Sequence, residues 1–230
     1  MNLQKRDCGI KVELVPYGGG WEDVYLDIGG DHHYFVISTV MGCGFERLMQ
    51  VLYYLYPNNG DPEEDWDIVD VKEGILNDAH EIVRMQDVGE ALEPGTVLRY
   101  IPWKARFTWD EEGSYSTWEL EREPNEENDF VLHLRISFDR GEKKQYSYQV
   151  RYADLCYAVA DAATRALKKH GIYGYHHSVY CKDMNLRHLL FLKAVALDNY
   201  EARTLTCYEE KGKGETTNLQ AELELLLFDM

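Results

Sequence analysis

The sequence predicts an α+β protein in which antiparallel β-meanders are each followed by a packed helix. Three observations support this fold class. Apolar and polar residues alternate through four successive runs between residues 103 and 152, which is the pattern of strands with one buried face. An amphipathic helix pattern follows directly at 154–170. An earlier series of strands ending in a helix occupies residues 10–56.

The earlier series contains three strands and one helix. Their predicted ranges are 10–15, 23–28 and 33–41 for the strands and 44–56 for the helix. The apolar residues Ile10, Val12 and Leu14 alternate with charged residues and so define the first strand. Gly29 and Gly30 supply a hairpin turn between the second and third strands. The third strand is apolar on both faces, which predicts a strand covered by protein on both sides.

The later series contains four strands and two helices. Their predicted ranges are 103–109, 115–122, 130–138 and 145–152 for the strands and 154–170 and 185–198 for the helices. Trp118 and Phe138 lie on the predicted buried face of this sheet. Asp154 can cap the first helix, and Gly171 follows its last turn. Asn185 can cap the second helix, whose apolar residues cover most of its circumference and predict burial.

These elements divide the chain into two predicted lobes and a tail. The lobes span residues 1–92 and 93–200, and the tail spans 201–230. A single sheet shared by both lobes is the alternative. A further helix is predicted from Ile75 to about Gln86, and the apolar run Leu219–Phe228 fits either a strand or a helix.

Both series share the order strand, glycine turn, strand, helix and closing glycine. Gly30 and Gly141 lie in the turns, and Gly60 and Gly171 close the helices at the same offset. This spacing predicts a structural pseudo-repeat of two sheet-and-helix units. Coincidence is the alternative, because such units recur in proteins without common origin.

The composition is strongly acidic and rich in aromatic residues. The 230 residues carry a formal net charge of −17 and include 17 tyrosines. Such a charge disfavours nucleic acid and anionic membrane surfaces as partners, and it permits a basic protein. Solubility is the simpler explanation of the charge. The sequence has no run of about 18 apolar residues, so no membrane-spanning helix is predicted.

The cysteines favour a reducing compartment. They are Cys8, Cys43, Cys156, Cys181 and Cys207. Their odd number, their wide spacing and the lack of a Cys-x-x-Cys pair argue against a disulfide framework or a structural zinc site. Because the N-terminus also lacks the apolar stretch of a secretion signal, we expect a cytoplasmic protein. No metal and no cofactor are predicted, and the oligomeric state is left open.

Three residues are candidates for catalysis. Cys43 lies between a predicted strand and a predicted helix, where a helix N-terminus favours a thiolate. Its flanking residues do not form a nucleophile elbow, so close packing of strand and helix is the alternative. His32 and His177 each belong to a pair of adjacent histidines. The segment Ile172–Cys181 is predicted to be extended, and neighbours on an extended chain point to opposite faces and cannot chelate one metal.

Acidic and aromatic residues from two segments form the predicted binding surface. They are Asp61, Glu63, Glu64, Asp65, Trp66, Tyr115, Glu119 and Glu121. Aromatic side chains among polar neighbours are typical of protein-binding surfaces. A solvated acidic loop and a filled sheet–helix core are the alternatives.

From these features we expect a non-enzymatic binding protein that presents an acidic, aromatic-rich surface to a protein partner. At class level such a protein resembles the small acidic immunity proteins that neutralise bacterial toxins. No residue motif contributes to this resemblance. An enzyme that uses Cys43 or a histidine is one alternative, and a structural or assembly subunit is another.

Overall fold

The fold is α+β, as the sequence predicts. The structure is a computed structural model, and it describes residues 8–40, 44–56, 73–76, 82–84, 99–100, 104–122, 130–179, 183–198, 208–209, 215–216 and 219–228. The chain forms two compact units. The first unit contains residues 1–50 and 153–230, and the second contains residues 51–152. None of the described helices combines the length and the apolar character that crossing a membrane requires.

This grouping of residues differs from the predicted lobes at 1–92 and 93–200. The difference arises because the chain returns to the first unit at Ala153, so the later helices and the tail belong with the first strands. The residues around position 92 lie outside the described part of the chain. The lobe boundary at that position therefore stays a prediction.

A three-stranded antiparallel sheet lies in the first unit. Its strands are β1 (Ile10–Gly18), β2 (Trp21–Ile28) and β3 (Asp31–Ser38), in the order β1-β2-β3. Alternate side chains such as Val12, Leu26 and Phe35 are buried and form the core face. β2 begins at Trp21 rather than at the predicted residue 23, and this extension places Glu22 on the core face.

The prediction that the third strand is covered on both faces is wrong. β3 lies at one side of the sheet, and its side chains alternate between core and solvent. Phe35 and Ile37 are buried, whereas Tyr34 is exposed. Tyrosine has an apolar ring and a polar hydroxyl, so its presence in an apolar run does not imply burial.

The described part of the chain contains four helices. They are α1 (Glu46–Leu55), α2 (Tyr152–Ser178), α3 (Leu186–Ala196) and α4 (Leu219–Leu227). Arg165 joins α2 to the first sheet, because its Nη2 donates a hydrogen bond to the carbonyl oxygen of Val12 at 2.6 Å. Asn185 caps α3 as predicted, since its Oδ1 accepts from the backbone N–H of His188 at 3.2 Å. The apolar run at Leu219–Phe228 is a helix and not a strand.

Helix α2 continues past Gly171, where the sequence predicts its end. Gly171 has φ 72° and ψ 164°, which interrupts the helical geometry, and the chain is helical again up to Ser178. Glycine adopts a positive φ without the steric cost of a Cβ atom, so the chain can turn here and resume. The predicted extended segment Ile172–Cys181 is therefore wrong over its residues up to Ser178.

The second unit contains a small sheet and a larger one. The small sheet consists of β4 (Glu73–Leu76), β5 (Ile82–Arg84) and β6 (Arg99–Tyr100), in the order β5-β4-β6. These strands overturn the predicted helix at Ile75–Gln86, because β4 and β5 pair antiparallel within that range. Strand pairing outweighed a helical spacing that only four apolar residues supported.

The larger sheet of the second unit is an antiparallel meander. Its strands are β7 (Lys104–Asp110), β8 (Tyr115–Arg122), β9 (Val131–Arg140) and β10 (Glu142–Arg151), in the order β10-β9-β8-β7. Trp109 and Trp118 are fully buried, with ring centroids 4.8 Å apart, and Phe107 stacks on Trp118 at 5.7 Å. Burial of Trp118 agrees with the predicted inner face, whereas Phe138 is only half-buried and contacts Tyr146.

The predicted pseudo-repeat stays a hypothesis. In both meanders the strands are ordered as they occur in the chain, which agrees with a repeat. The helices are grouped differently, because α2 from Ala153 onward belongs with the first meander and residues 51–55 of α1 belong with the second. In the tail, β11 (Tyr208–Glu209) and β12 (Glu215–Thr216) pair antiparallel and have no counterpart in the proposed repeat unit.

Adjacent positions on β9 test the assignment of inner and outer faces. Leu132 is fully buried, whereas Val131 is 39% exposed. We expect Leu132→Ala to lower the free energy of unfolding by about 2–5 kcal/mol, because it removes buried methyl groups and leaves a cavity. The matched Val131→Ala should cost less than about 1 kcal/mol. Chemical denaturation measures both, and equal losses would contradict the assigned faces.

Candidate functional site

Three tyrosines and one aspartate form an exposed cluster on the outer face of the first sheet. We call Tyr17, Asp23, Tyr25 and Tyr34 the tyrosine face. The tyrosine side chains are 55%, 41% and 43% exposed, in chain order. They face outward because successive residues of a strand point to opposite sides, and their neighbours on β2 and β3 fill the core. The tyrosine face therefore follows from the strand pattern itself.

The register of the sheet aligns two of these rings. Tyr25 on β2 is directly opposite Tyr34 on β3. Their ring centroids are 4.9 Å apart, and the ring planes differ by 25°, which is a stacked arrangement. Cross-strand aromatic pairs of this kind stabilise a sheet. Because each ring packs against the other, the two exposed tyrosines are held in one arrangement.

Asp23 fixes the polar end of this aromatic pair. The hydroxyl of Tyr34 donates a hydrogen bond to Oδ1 of Asp23 at 3.0 Å. Desolvation, followed by the hydrogen bond to Asp23 and its negative charge, raises the pKa of Tyr34 to about 12. Desolvation and the charges of Asp23 and Tyr25 raise the pKa of Tyr17 in the same direction. Both phenols therefore stay neutral near pH 7.

The surroundings of the tyrosine face are acidic. Glu13 on β1 is opposite Tyr25 and is exposed. Asp27 lies two residues further along β2, opposite the exposed Lys11 on β1, and its Oδ1 is 2.6 Å from Nδ1 of His32. His32, a sequence-predicted catalytic candidate, is thus an exposed hairpin residue that forms an ion pair with Asp27 when it is protonated. Exposed pairs of this type contribute little to stability, so the carboxylates act mainly through their charge.

A buried carboxylate anchors the strand from the opposite side. Glu22 is fully buried; its Oε2 accepts from the backbone N–H of Phe45 at 2.7 Å, and its Oε1 accepts from the hydroxyl of Tyr175 at 2.6 Å. Phe45 directly precedes α1, so the carboxylate occupies the positive end of that helix. Burial raises the pKa of Glu22, and the two hydrogen bonds oppose part of that rise.

Gly44 is required by this arrangement. A Cβ atom at position 44 would clash with Oε2 of Glu22 and would lie 2.7 Å from Cγ2 of Thr39. Thr39 in turn donates its hydroxyl to the carbonyl oxygen of Val179 at 3.1 Å. The neighbouring Cys43, the predicted nucleophile, lies outside the described residues. The glycine beside it is explained by close packing against Glu22.

Most of the sequence-predicted binding residues lie outside the described part of the chain. They are Asp61, Glu63, Glu64, Asp65 and Trp66. Tyr115 is 47% exposed and Glu121 is exposed, both on the outer face of the larger sheet. Glu119 is on the same face, but its carboxylate is 3.0 Å from Arg135 and 3.8 Å from Arg106. Its charge is therefore compensated, which weakens its suitability for attracting a basic partner.

The histidines near the end of α2 form a small polar cluster. Nδ1 of His176 is 2.8 Å from Oδ1 of Asp183. His177, another catalytic candidate, is exposed, and its ring centroid is 4.4 Å from that of Tyr173. Across the residues that the structure describes, no three His, Cys, Asp or Glu side chains are grouped as a metal site would need. The role of His177 stays a prediction.

The sequence interpretation missed the tyrosine face, although a signal for it was present. Asp23 and Tyr25 alternate with Val24 and Leu26, so the outward direction of both could be inferred from period two alone. Neither known protein families, nor curated proteins, nor solved structures provide a match to this chain.

The buried Glu22 predicts a pH dependence of stability. Its pKa is raised above the ordinary value of 4.5, so the folded chain binds this proton more tightly than the unfolded chain does. The contribution of the protonated Glu22 to the free energy of unfolding is thus fully present below pH 4.5, the ordinary pKa of the group. This contribution is lost as the pH rises through the pKa of Glu22 in the folded chain. Glu22→Gln keeps the shape and cannot ionise, so we expect its thermal midpoint to fall less between about pH 4 and 8.

Thermal unfolding of both proteins across this pH range measures the difference. Glu13→Gln makes the same change at an exposed position of β1 and is the matched control. Parallel profiles of the parent and Glu22→Gln would show that the buried carboxyl group does not titrate in this range.

Proposed function

We propose that this protein is a non-enzymatic binding protein whose tyrosine face holds a basic protein partner. The observation that carries the proposal is the exposed stacked pair of Tyr25 and Tyr34, with the Tyr34 hydroxyl held by Asp23. The proposed binding surface is acidic and rich in aromatic residues, as the sequence predicts, but it lies on the first sheet.

The preformed geometry of the pair supports a binding role. Tyrosine contributes a large contact area and loses little conformational freedom on binding, which is why it is enriched at energetic centres of interfaces. Here the cross-strand contact and the hydrogen bond to Asp23 already restrict Tyr34. A partner would therefore meet side chains that have already been ordered, and preorganisation of this kind increases affinity.

The charge around the pair favours an arginine-bearing partner. The chain has a net charge of −17, and on this face the acids Glu13, Asp23 and Asp27 outnumber the lysine opposite Asp27, Lys11, which gives the face a negative potential. A guanidinium group can stack on an aromatic ring and donate two hydrogen bonds to a carboxylate, which a lysine ammonium cannot match. The tyrosine face offers both kinds of contact side by side.

The cellular role follows the class-level resemblance to immunity proteins. A surface that captures a basic protein could neutralise it by occupying its functional surface, as an inhibitor does. The odd number and wide spacing of the five cysteines favour reduced thiols, which supports action in the reducing cytoplasm. If the protein is instead an assembly subunit, the same face would bind a permanent partner.

Alanine substitutions in the aromatic pair test the location of the binding surface. We expect a protein captured from cell lysate by the parent to bind Tyr25→Ala/Tyr34→Ala about 30-fold more weakly, since interface tyrosines contribute about 2 kcal/mol or more. Tyr115→Ala, an exposed tyrosine on the other sheet, should bind as the parent does. Loss of binding in Tyr115→Ala alone would place the surface on the larger sheet and contradict the proposal.

A second measurement tests the electrostatic contribution. Asp23→Asn removes a charge while keeping an oxygen that can accept from Tyr34. We expect it to slow association with the captured partner more than it speeds dissociation, with a smaller effect at high salt. Biosensor kinetics at two salt concentrations measure both rates. An association rate that ignores both the substitution and the salt would refute the charge-based part of the proposal.

A further inference from the structure

The terminal helix α4 packs on helix α3 through one buried position. Leu225 is buried against Ala194, and the partly buried Leu190 and Leu197 complete this apolar contact. Leu225 is the one buried residue of the nine in α4. Leu225 therefore supplies the fully buried apolar contact of this helix, and Leu226 beside it is half-buried.

Two lysines bind the C-terminal end of the same helix. Lys193 on α3 is fully buried, and its Nζ donates to the carbonyl oxygens of Leu226 at 3.1 Å and Phe228 at 2.7 Å. Lys168 on α2 donates to the carbonyl oxygen of Leu227 at 3.3 Å. The last carbonyls of a helix have no partner within the helix and carry the negative end of its dipole. The two ammonium groups satisfy three successive carbonyls of this kind.

The remaining surface of α4 contributes little to its attachment. Leu219, Leu223 and Leu227 recur at every fourth residue and are exposed. A cavity of about 230 Å³ lies beside the C-terminal end of the helix and is lined by apolar side chains that include Leu167 and Ile172. This cavity is open to solvent, so apolar surface beside the end of α4 stays uncovered. A nine-residue helix is also too short to be stable alone in water, so α4 forms only while it is docked.

We infer that α3 carries a helix-binding site and that α4 is a releasable latch that occupies it. Opening of α4 uncovers an apolar patch around Ala194 together with the ammonium group of Lys193. When α4 opens, the ammonium group of Lys193 loses two carbonyl acceptors and lies at the edge of exposed apolar surface, so the opened site favours groups that supply both carbonyl acceptors and an apolar contact. A second copy of this chain supplies such a group, because its own α4 has the required leucine and the same terminal carbonyls. Exchange of the terminal helix between copies is the outcome.

A labelled peptide with the sequence of residues 218–230 tests the site in the full chain. Leu225→Asp weakens docking of the chain's own α4 and leaves the α3 surface unchanged. We expect this variant to bind the peptide at least about tenfold more tightly than the parent, whose site is occupied. Adding Lys193→Met should weaken binding by at least about tenfold, whereas adding the exposed Lys169→Met should leave it unchanged.

Two results would overturn the inference. One is a Leu225→Asp variant that stays folded and binds no peptide, and the other is peptide binding that ignores Lys193→Met. Hydrogen exchange of the unmodified chain gives a readout that needs no variant. We expect amides of α4 to exchange at least about tenfold faster than those of α3, because short and exposed elements open locally. Equal protection of both helices would show that α4 is not a latch.

Discussion

The buried carboxylate of Glu22 is the interaction on which the first unit depends. It lies on the core face of a strand, yet it accepts from the N–H group that precedes α1 and from the hydroxyl of Tyr175 on α2. One side chain thus joins a strand and two helices. Because a carboxylate without partners in a protein interior would be strongly destabilising, this arrangement requires all three elements at once.

The same strand connects the core to the tyrosine face. Glu22 points inward and Asp23 points outward, since neighbouring residues on a strand face opposite sides. The contacts of Glu22 therefore also fix the backbone from which Asp23 reaches Tyr34. The position of the tyrosine face therefore depends on core packing around Glu22, whereas its binding chemistry comes from the exposed side chains.

Local patterns predicted the elements well and their long-range contacts poorly. Alternation at Ile10–Leu14 and the cap at Asn185 are properties of neighbouring residues, so the sequence displays them directly. Helix α2 resumes after Gly171 and brings Tyr175 to Glu22, a contact between residues 153 positions apart. No local pattern encodes such a contact. The alternation of apolar and polar residues is enough to predict that these tyrosines face outward. The contact between Tyr25 and Tyr34 also depends on the strand register, which alternation does not give.

The close approach of Gly44 to Glu22 has a consequence for sequence evolution. Any side chain at position 44 would collide with the carboxylate, so glycine must persist there while position 22 keeps a long acidic residue. A shorter residue at 22 would remove the clash with the carboxylate, but Cγ2 of Thr39 would still lie 2.7 Å from a Cβ atom at position 44, and the N–H group that precedes α1 would lose its acceptor. A side chain at position 44 therefore requires changes at both position 22 and position 39. In diverging descendants of this chain, residues 22, 39 and 44 should be inherited as a linked set.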